Sequence, residues 1–385
     1  MRRSLLVAGV VVLVAGVAVS LAAGSGAASG RWVIRDLGTL SGSGIVVDLN
    51  ERGEIIARVT YPEERALVWK NGEWTDLGAL PGMGSHSGAF TLNDRGQIIG
   101  QSCTRRVLSC LDPRTAAVSR AFVWANGKMT GLRTLGGRST RGWDINNKGE
   151  IVGSSDTGGQ HVRAVLWRNG KVISLGTLGG KHSGALAINE RSQIVGWSDT
   201  SDPKAGPRFF LWENGKMNDL GIEVDRRTEW AWGSRRYLVF INERGHVAGQ
   251  MKGTAYDDHW QGFFWRDGRL RTLSLLPHGI NDRDEIPAEG DLDEAVVWRN
   301  GTPRRLGLDT TFGWQQRTVI NDRGQIIAND AEGNLRSFVW ENGKRAYLPT
   351  REMGDPVGAV VINNSGQIAG WSGSHAVLWT WQPAR

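Results

Sequence analysis

Cysteine is nearly absent from this chain: Cys103 and Cys110 are the two present in 385 residues. A fold stapled by many disulfides is therefore excluded, and two thiols alone make a poor zinc site. No nucleophile elbow, phosphate-binding loop or zinc motif occurs, so neither a metal nor a cofactor is expected. No RNA- or DNA-binding motif occurs either, and nucleic acid is not expected as a partner. Beyond the N-terminus no apolar run is long enough to span a bilayer. The acidic runs Asp257-Asp258 and Asp291-Leu-Asp-Glu294 lack the Gly-containing spacing of a calcium loop and read as solvent-facing. The formal charge of +7 is modest and spread along the chain, which suits a solvated surface that can associate with anionic cell-wall polymers.

What the chain has in abundance is internal repetition. A motif Leu/Ile-Asn-x-x-Gly-x-Ile/Val recurs with its Asn at 50, 93, 146, 189, 242, 281, 321 and 363. Each of the first seven copies is followed by a hydrophobic run ending in Trp, then Asn-Gly or Asp-Gly one residue later. A period near 45 with several strand and turn signals per unit predicts an all-β fold, a β-propeller of four-stranded blades. In the fourth unit, residues 184–189, 193–197, 209–212 and 216–221 read as strands a, b, c and d. The Asn of each motif opens a type I turn, and the Gly supplies the positive φ that rejoins the strand. Ser192 and Asp284 stand where that Gly is lost, so those two turns are expected to be strained or differently shaped. Asn-Gly after the Trp predicts a type I′ hairpin between strands c and d. Trp69, Trp124, Trp167, Trp212, Trp265, Trp298, Trp340 and Trp379 occur once per unit, which points to blade-to-blade packing.

The repeats are out of phase with the chain ends. Residues 31–38 (RWVIRDLG) match a strand d that has no a, b or c before it. The last unit has a, b and c, ending at Trp379, and little beyond. The N-terminal strand is therefore expected to complete the last blade, closing a ring of eight blades; a ring of seven with one degenerate unit is the competitor. The unit at Asn281 is the weakest, having lost its Gly and gained Pro287. Closure would also remove the exposed end of an open array.

Several segments resemble the extracellular repeats named for a His-Ala-Phe triplet, the HAF repeat family: Ser119–Gly127 (SRAFVWANG), Ile145–Gly153 (INNKGEIVG), Leu175–Gly180 (LGTLGG) and Ser374–Trp379 (SHAVLW). The likeness spans residues 31–381. The triplet itself is degraded, with Arg120-Ala-Phe and His375-Ala-Val as its closest forms. The resemblance implies export and a repeat fold, and it carries no catalytic residue.

Export also follows from residues 1–30. Arg2 and Arg3 precede an apolar run from Leu5 to Ala23 and then small residues, the pattern of a secretory signal. At this length the run can alternatively remain as a membrane anchor over residues 5–23. The propeller then occupies 31–385 as a single domain, expected to be monomeric. In an oxidising compartment Cys103 and Cys110 are expected to form a disulfide within one loop.

On a propeller the a–b and c–d turns share one face and the b–c and d–a connections share the other. The latter are long and variable here, which makes their face the expected functional surface. Trp230, Trp232, Tyr256, His259, Trp260, Phe312 and Trp314 form an aromatic sector there, able to stack on sugars or anchor a protein, or else to cover the loops' own small core. Arg105 and Arg106, with Arg114, Arg120, Arg133, Arg138 and Arg141, form a basic sector suited to carboxylates or phosphates, or simply a solvated loop. His86 and His182 hold equivalent positions in non-adjacent units, too far apart for a shared metal. The leading expectation is an exported, non-enzymatic scaffold that binds an extracellular polysaccharide or protein. The alternative is a secreted carbohydrate-active hydrolase or lyase, which would need two placed carboxylates. An eight-bladed quinone-dependent dehydrogenase is disfavoured, because the two Cys are not adjacent and the Trp spacing is wrong.

Overall fold

The computed structural model describes residues 30–40, 44–60, 63–104, 118–159, 161–224, 239–253, 260–290, 294–309, 318–330 and 335–384. Among them are eight four-stranded antiparallel sheets and no helix. The protein is an eight-bladed β-propeller. Blades 1 to 7 each run a-b-c-d in chain order, beginning at Gly44, His86, Gly136, Gly179, Val239, Leu276 and Val319. Blade 8 is composite: Val357–Ile362, Ile368–Ser372 and His375–Pro383, with Gly30–Thr39 as its outermost strand. Ile34 faces Trp379, Arg35 faces Leu378 and Asp36 faces Val377, so the chain start locks onto the chain end in the expected register.

The weak unit at Asn281 is nevertheless a full blade. Its strand a shrinks to Leu276–Pro277, and Pro287 sits in strand b opposite Val297. Pro287 has no N–H to give, but its carbonyl accepts the amide of His278 at 2.8 Å. Eight blades, rather than seven, follow.

Turn chemistry sets the blade edges. Asn71, Asn126, Asn169, Asn214, Asp267, Asn300 and Asn342 all have φ between 49° and 56°, and each is followed by a Gly of positive φ, the two left-handed residues of a type I′ turn. In the a–b turns the amide of Gly53 donates to the carbonyl of Asn50, and the Asn50 Oδ1 accepts the amides of Arg52 and Glu54. Ser192 and Asp284 keep the same turn with φ of 63° and 61°, so those turns are strained and not reshaped.

The core lies between blades. Trp69 packs with Leu37, Leu40 and Leu378 of blade 8, and Trp298 packs with Phe264 and Leu273 of blade 5. The Trp167 and Trp379 indoles donate to the carbonyls of Arg133 and Pro349, each in the connection leaving the preceding blade. Arg35, Arg271 and Arg304, from the outer strands of blades 8, 5 and 6, lie over Trp69, Trp298 and Trp340 of the following blade at 4.8–5.3 Å. The Trp of each repeat is thus a blade-to-blade packing residue.

Candidate functional site

Two surfaces bear on function: the bore where the a–b turns meet, and the opposite face where the long connections emerge.

At the bore, the repeated Asn does more than cap its turn. The Asn50 amide nitrogen donates to the carbonyl of Asn93, Asn93 to Asn146, Asn146 to Asn189, and so on through Asn242, Asn281, Asn321 and Asn363, which returns to Asn50. The distances are 2.9–3.2 Å all the way round. A second circle lies beside it. The backbone amide of each following residue donates to the side chain of its counterpart one blade on: Glu51 to Asp94, Asp94 to Asn147, then Glu190, Glu243, Asp282, Asp322, Asn364 and back to Glu51. Members of both circles, among them Asn50, Asn93, Asp94, Glu190, Asp322 and Asn363, line a cavity of about 390 Å³.

The charge gathered there is visible in its protonation. Burial, with the neighbouring carboxylates adding to it, raises the pKa values of Glu243 and Asp282. Two residues before the Asn, Asp48 of blade 1 and Asp144 of blade 3 also face one another's charge. Burial pushes Asp48 up to about 6 and Asp144 up to about 7, with backbone hydrogen bonds opposing the shift. Asp48 accepts from the Thr91 hydroxyl and the Leu92 amide, and Asp144 accepts from the Ile188 amide. Each therefore bridges its blade to the next. Sequence reasoning passed over both carboxylates. The departure from the uncharged Thr91, Ala187, Phe240, Gly279, Val319 and Val361 found at this position in the other repeats was the available signal.

Both turns that lack Gly follow one rule. A Cβ at the Gly position points at the residue four after the Asn of the preceding blade, as Gly53 to Gln367 and Gly149 to Gln97 show. Ser192 uses that direction to donate to Glu150 at 2.6 Å. Asp284 uses it to accept from the Asn242 amide at 2.9 Å and to meet His246 Nδ1 at 2.7 Å. Seven repeats place Glu or Gln at that fourth position, where it accepts from its own Asn. In blade 5 it is His246, and Asp284 of blade 6 supplies the missing acceptor.

On the opposite face, Trp260 opens strand c of blade 5, half-buried and in register with Lys252. The other expected ligand-binding residues, Trp230, Trp232, Tyr256, His259, Phe312, Trp314, Arg105 and Arg106, lie outside the described residues. Their segments join blades 4 and 5, cross blade 5, join blades 6 and 7, and cross blade 2. Of the remaining basic sector, Arg133 and Arg138 are exposed while Arg120 and Arg141 are half-buried. Cys103 is fully buried at the end of strand b in blade 2, and Cys110 lies outside the described residues. His182 accepts the Val162 amide and packs edge-on to His161. Among the described residues, no group of three or more His, Cys, Asp or Glu side chains is placed to hold a metal ion.

No protein-family model and no curated protein matches the chain. Among solved structures, the computationally designed Ika8 protein aligns with a TM-score of 0.55 at 13% identity, over 90% of this chain and 99% of that one. A streptogramin B lyase aligns at 0.45 with 10% identity, over 91% of this chain and 98% of that one. A gluconolactonase from Xanthomonas campestris aligns at 0.36 with 10% identity, over 92% and 90%. At such identities the likeness is one of fold alone, and none of these activities passes to this chain.

Proposed function

We propose that this protein is an exported, non-enzymatic binding ring that presents its long b–c and d–a connections to an extracellular polysaccharide or protein. The supporting observation is the division of labour between the two faces. On the a–b face the Asn of every repeat and the residue after it are engaged in the two hydrogen-bonded circles that join the blades. The connections that vary in length and sequence between repeats leave the blades from the other face. A signal segment at 1–30 and the HAF-like repeats support an extracellular setting.

A second reading, a secreted carbohydrate-active hydrolase or lyase, draws on Asp48 and Asp144, two carboxylates with raised pKa values in one bore. Against it, both carboxylates already accept hydrogen bonds from the neighbouring blade.

A glycan array probed with the mature protein, beside a turnover assay on the same sugars, separates the two. Binding without turnover, weakened several-fold to tenfold by Trp232→Ala and Trp260→Ala at unchanged thermal stability, supports the binding ring. Turnover abolished by Asp144→Asn overturns it in favour of the enzyme.

A further inference from the structure

The outer edge of the ring holds a cleft unlike the other blade junctions. It lies between blades 5 and 6, encloses about 500 Å³, and is lined by Phe264, Arg266, Arg269, Leu270, Arg271, Asp284, Trp298, Asn300 and Gly301. That volume is within the range of small-ligand sites.

Comparison with the other repeats explains why positive charge is left over there. In three blades a basic residue after the strand-c Trp meets a Glu four after the Asn in its own blade. Lys70 pairs with Glu54 at 2.7 Å, Arg168 with Glu150 at 2.5 Å and Arg299 with Glu285 at 2.9 Å. In blade 4 the polarity is reversed and Gln193 donates to Glu213 at 2.8 Å. In blade 5 the corresponding pair is Arg266 and His246, which offers no anion. Arg266 has instead loose ion pairs with Asp267 at 3.5 Å and Asp284 at 3.8 Å. Asp284 itself is already engaged by Arg244 at 3.1 Å, by Asn242 and by His246.

The hairpin then compounds the excess. Arg266 and Arg269 are direct cross-strand partners, flanking the Asp267-Gly268 turn. Like charges placed opposite each other destabilise a strand pair unless an anion lies between them. The Arg269 side chain forms no hydrogen bond or ion pair with any described residue. Arg271 completes the trio. Its guanidinium rests on Trp298 at 5.3 Å and donates to the Gly301 carbonyl at 3.2 Å, which fixes its direction and leaves its other donors without a partner among the described residues.

We propose that this cleft binds a carboxylate-bearing saccharide, with Arg266, Arg269 and Arg271 as its anion receptors. Guanidinium forks match a carboxylate in two parallel hydrogen bonds, and an acidic saccharide is the carboxylate source that suits the extracellular setting proposed above, on which this choice of ligand rests. A nucleic acid fits less well, because its bases need an open aromatic face. Trp298 and Phe264 are only 6% and 7% exposed, and Arg271 already covers Trp298. The cleft is built from strands c and d, a c–d turn and the a–b turn at Asp284, so it is a separate surface from the long connections.

The test is calorimetric titration of the folded protein with trigalacturonate, with galactotriose and a short single-stranded DNA as comparators. Trigalacturonate is expected to bind with an affinity that falls as salt rises, and galactotriose is not. Arg269→Ala is expected to weaken binding about tenfold or more, the loss typical of a charge-assisted hydrogen bond. Arg269→Glu is expected to abolish it, and neither change should lower the melting temperature of the empty protein. Trp232→Ala and Trp260→Ala are expected to leave trigalacturonate affinity unchanged. Absence of trigalacturonate binding, undiminished binding by Arg269→Glu, equal binding of galactotriose, or DNA competing equally overturns the proposal. So does loss of trigalacturonate binding in the Trp variants, which would move the site to the long connections.

Discussion

Asp284→Gly restores the residue that most repeats carry, yet it is expected to destabilise this protein. The substitution removes a positive φ at a residue with a side chain, a relief of about 1 kcal/mol. It also strips the second acceptor from the Asn242 amide and the partner from His246 Nδ1, both in buried residues. Leaving a buried polar group unpaired costs about 1–3 kcal/mol each, so the net loss should be about 1–5 kcal/mol. His246→Gln added to Asp284→Gly recreates the arrangement of blade 2, where Asn93 donates to Gln97 at 2.8 Å across a turn that keeps its Gly. The double variant should therefore return to within about 1 kcal/mol of the parent. Urea unfolding followed by Trp fluorescence on the parent, both single variants and the double gives the coupling energy. If the two single effects simply add within about 0.5 kcal/mol, the His246–Asp284 exchange is not a linked pair and the reasoning fails.

Three further outcomes follow. Asp48 and Asp144 have folded pKa values of about 6 and about 7, against 3.8 for the free side chain, so the native state binds their protons more tightly than the unfolded state does. The stability they contribute is complete below 3.8 and is lost as pH rises through about 7; the fall in unfolding free energy across that window should be shallower in Asp144→Asn, and an unchanged slope refutes the assignment. Deleting residues 30–39 exposes the edge of the His375–Pro383 strand and leaves the Trp74 indole without the Leu37 carbonyl, so the truncated protein should melt lower and aggregate; a melting temperature equal to the parent's would show that closure contributes nothing. Cys103 and Cys110 should resist alkylation in unreduced, unfolded protein made in an oxidising compartment, and quantitative labelling of both thiols would rule out their bond.

The architecture was readable because its signals are local. Asn50 and Gly53, or Asn71 and Gly72, fix a turn within four residues, and the stray strand-d match at 31–38 announced the closure. The two circles at the bore were not readable in the same way. They join Asn50 to Asn93 and Asn363 to Asn50, pairs that become neighbours only once the ring is closed. Asp48 and Asp144 were hidden because their pKa values depend on burial along the axis, which no single repeat displays. The Arg cleft left a trace that could have been used: the fourth residue after each Asn is Glu or Gln in seven units, and His246 is the exception. Of the expected loop residues, Trp260 is the described ligand-binding candidate, and its half-buried place in strand c is compatible with either a binding or a packing role.

The Asn circle has a direction. Every amide points the same way around the axis, so each peptide carbonyl is polarised by a donor that is itself covalently tied to the next carbonyl in line. Around a closed loop such dipoles cancel, and the assembly has neither a first donor lacking an acceptor nor a last acceptor lacking a donor. Cut anywhere, the same chain acquires both defects at once. Seven joints of the eight are therefore no approximation to the whole, and this is a reason for the polypeptide to borrow its opening strand to finish its closing blade.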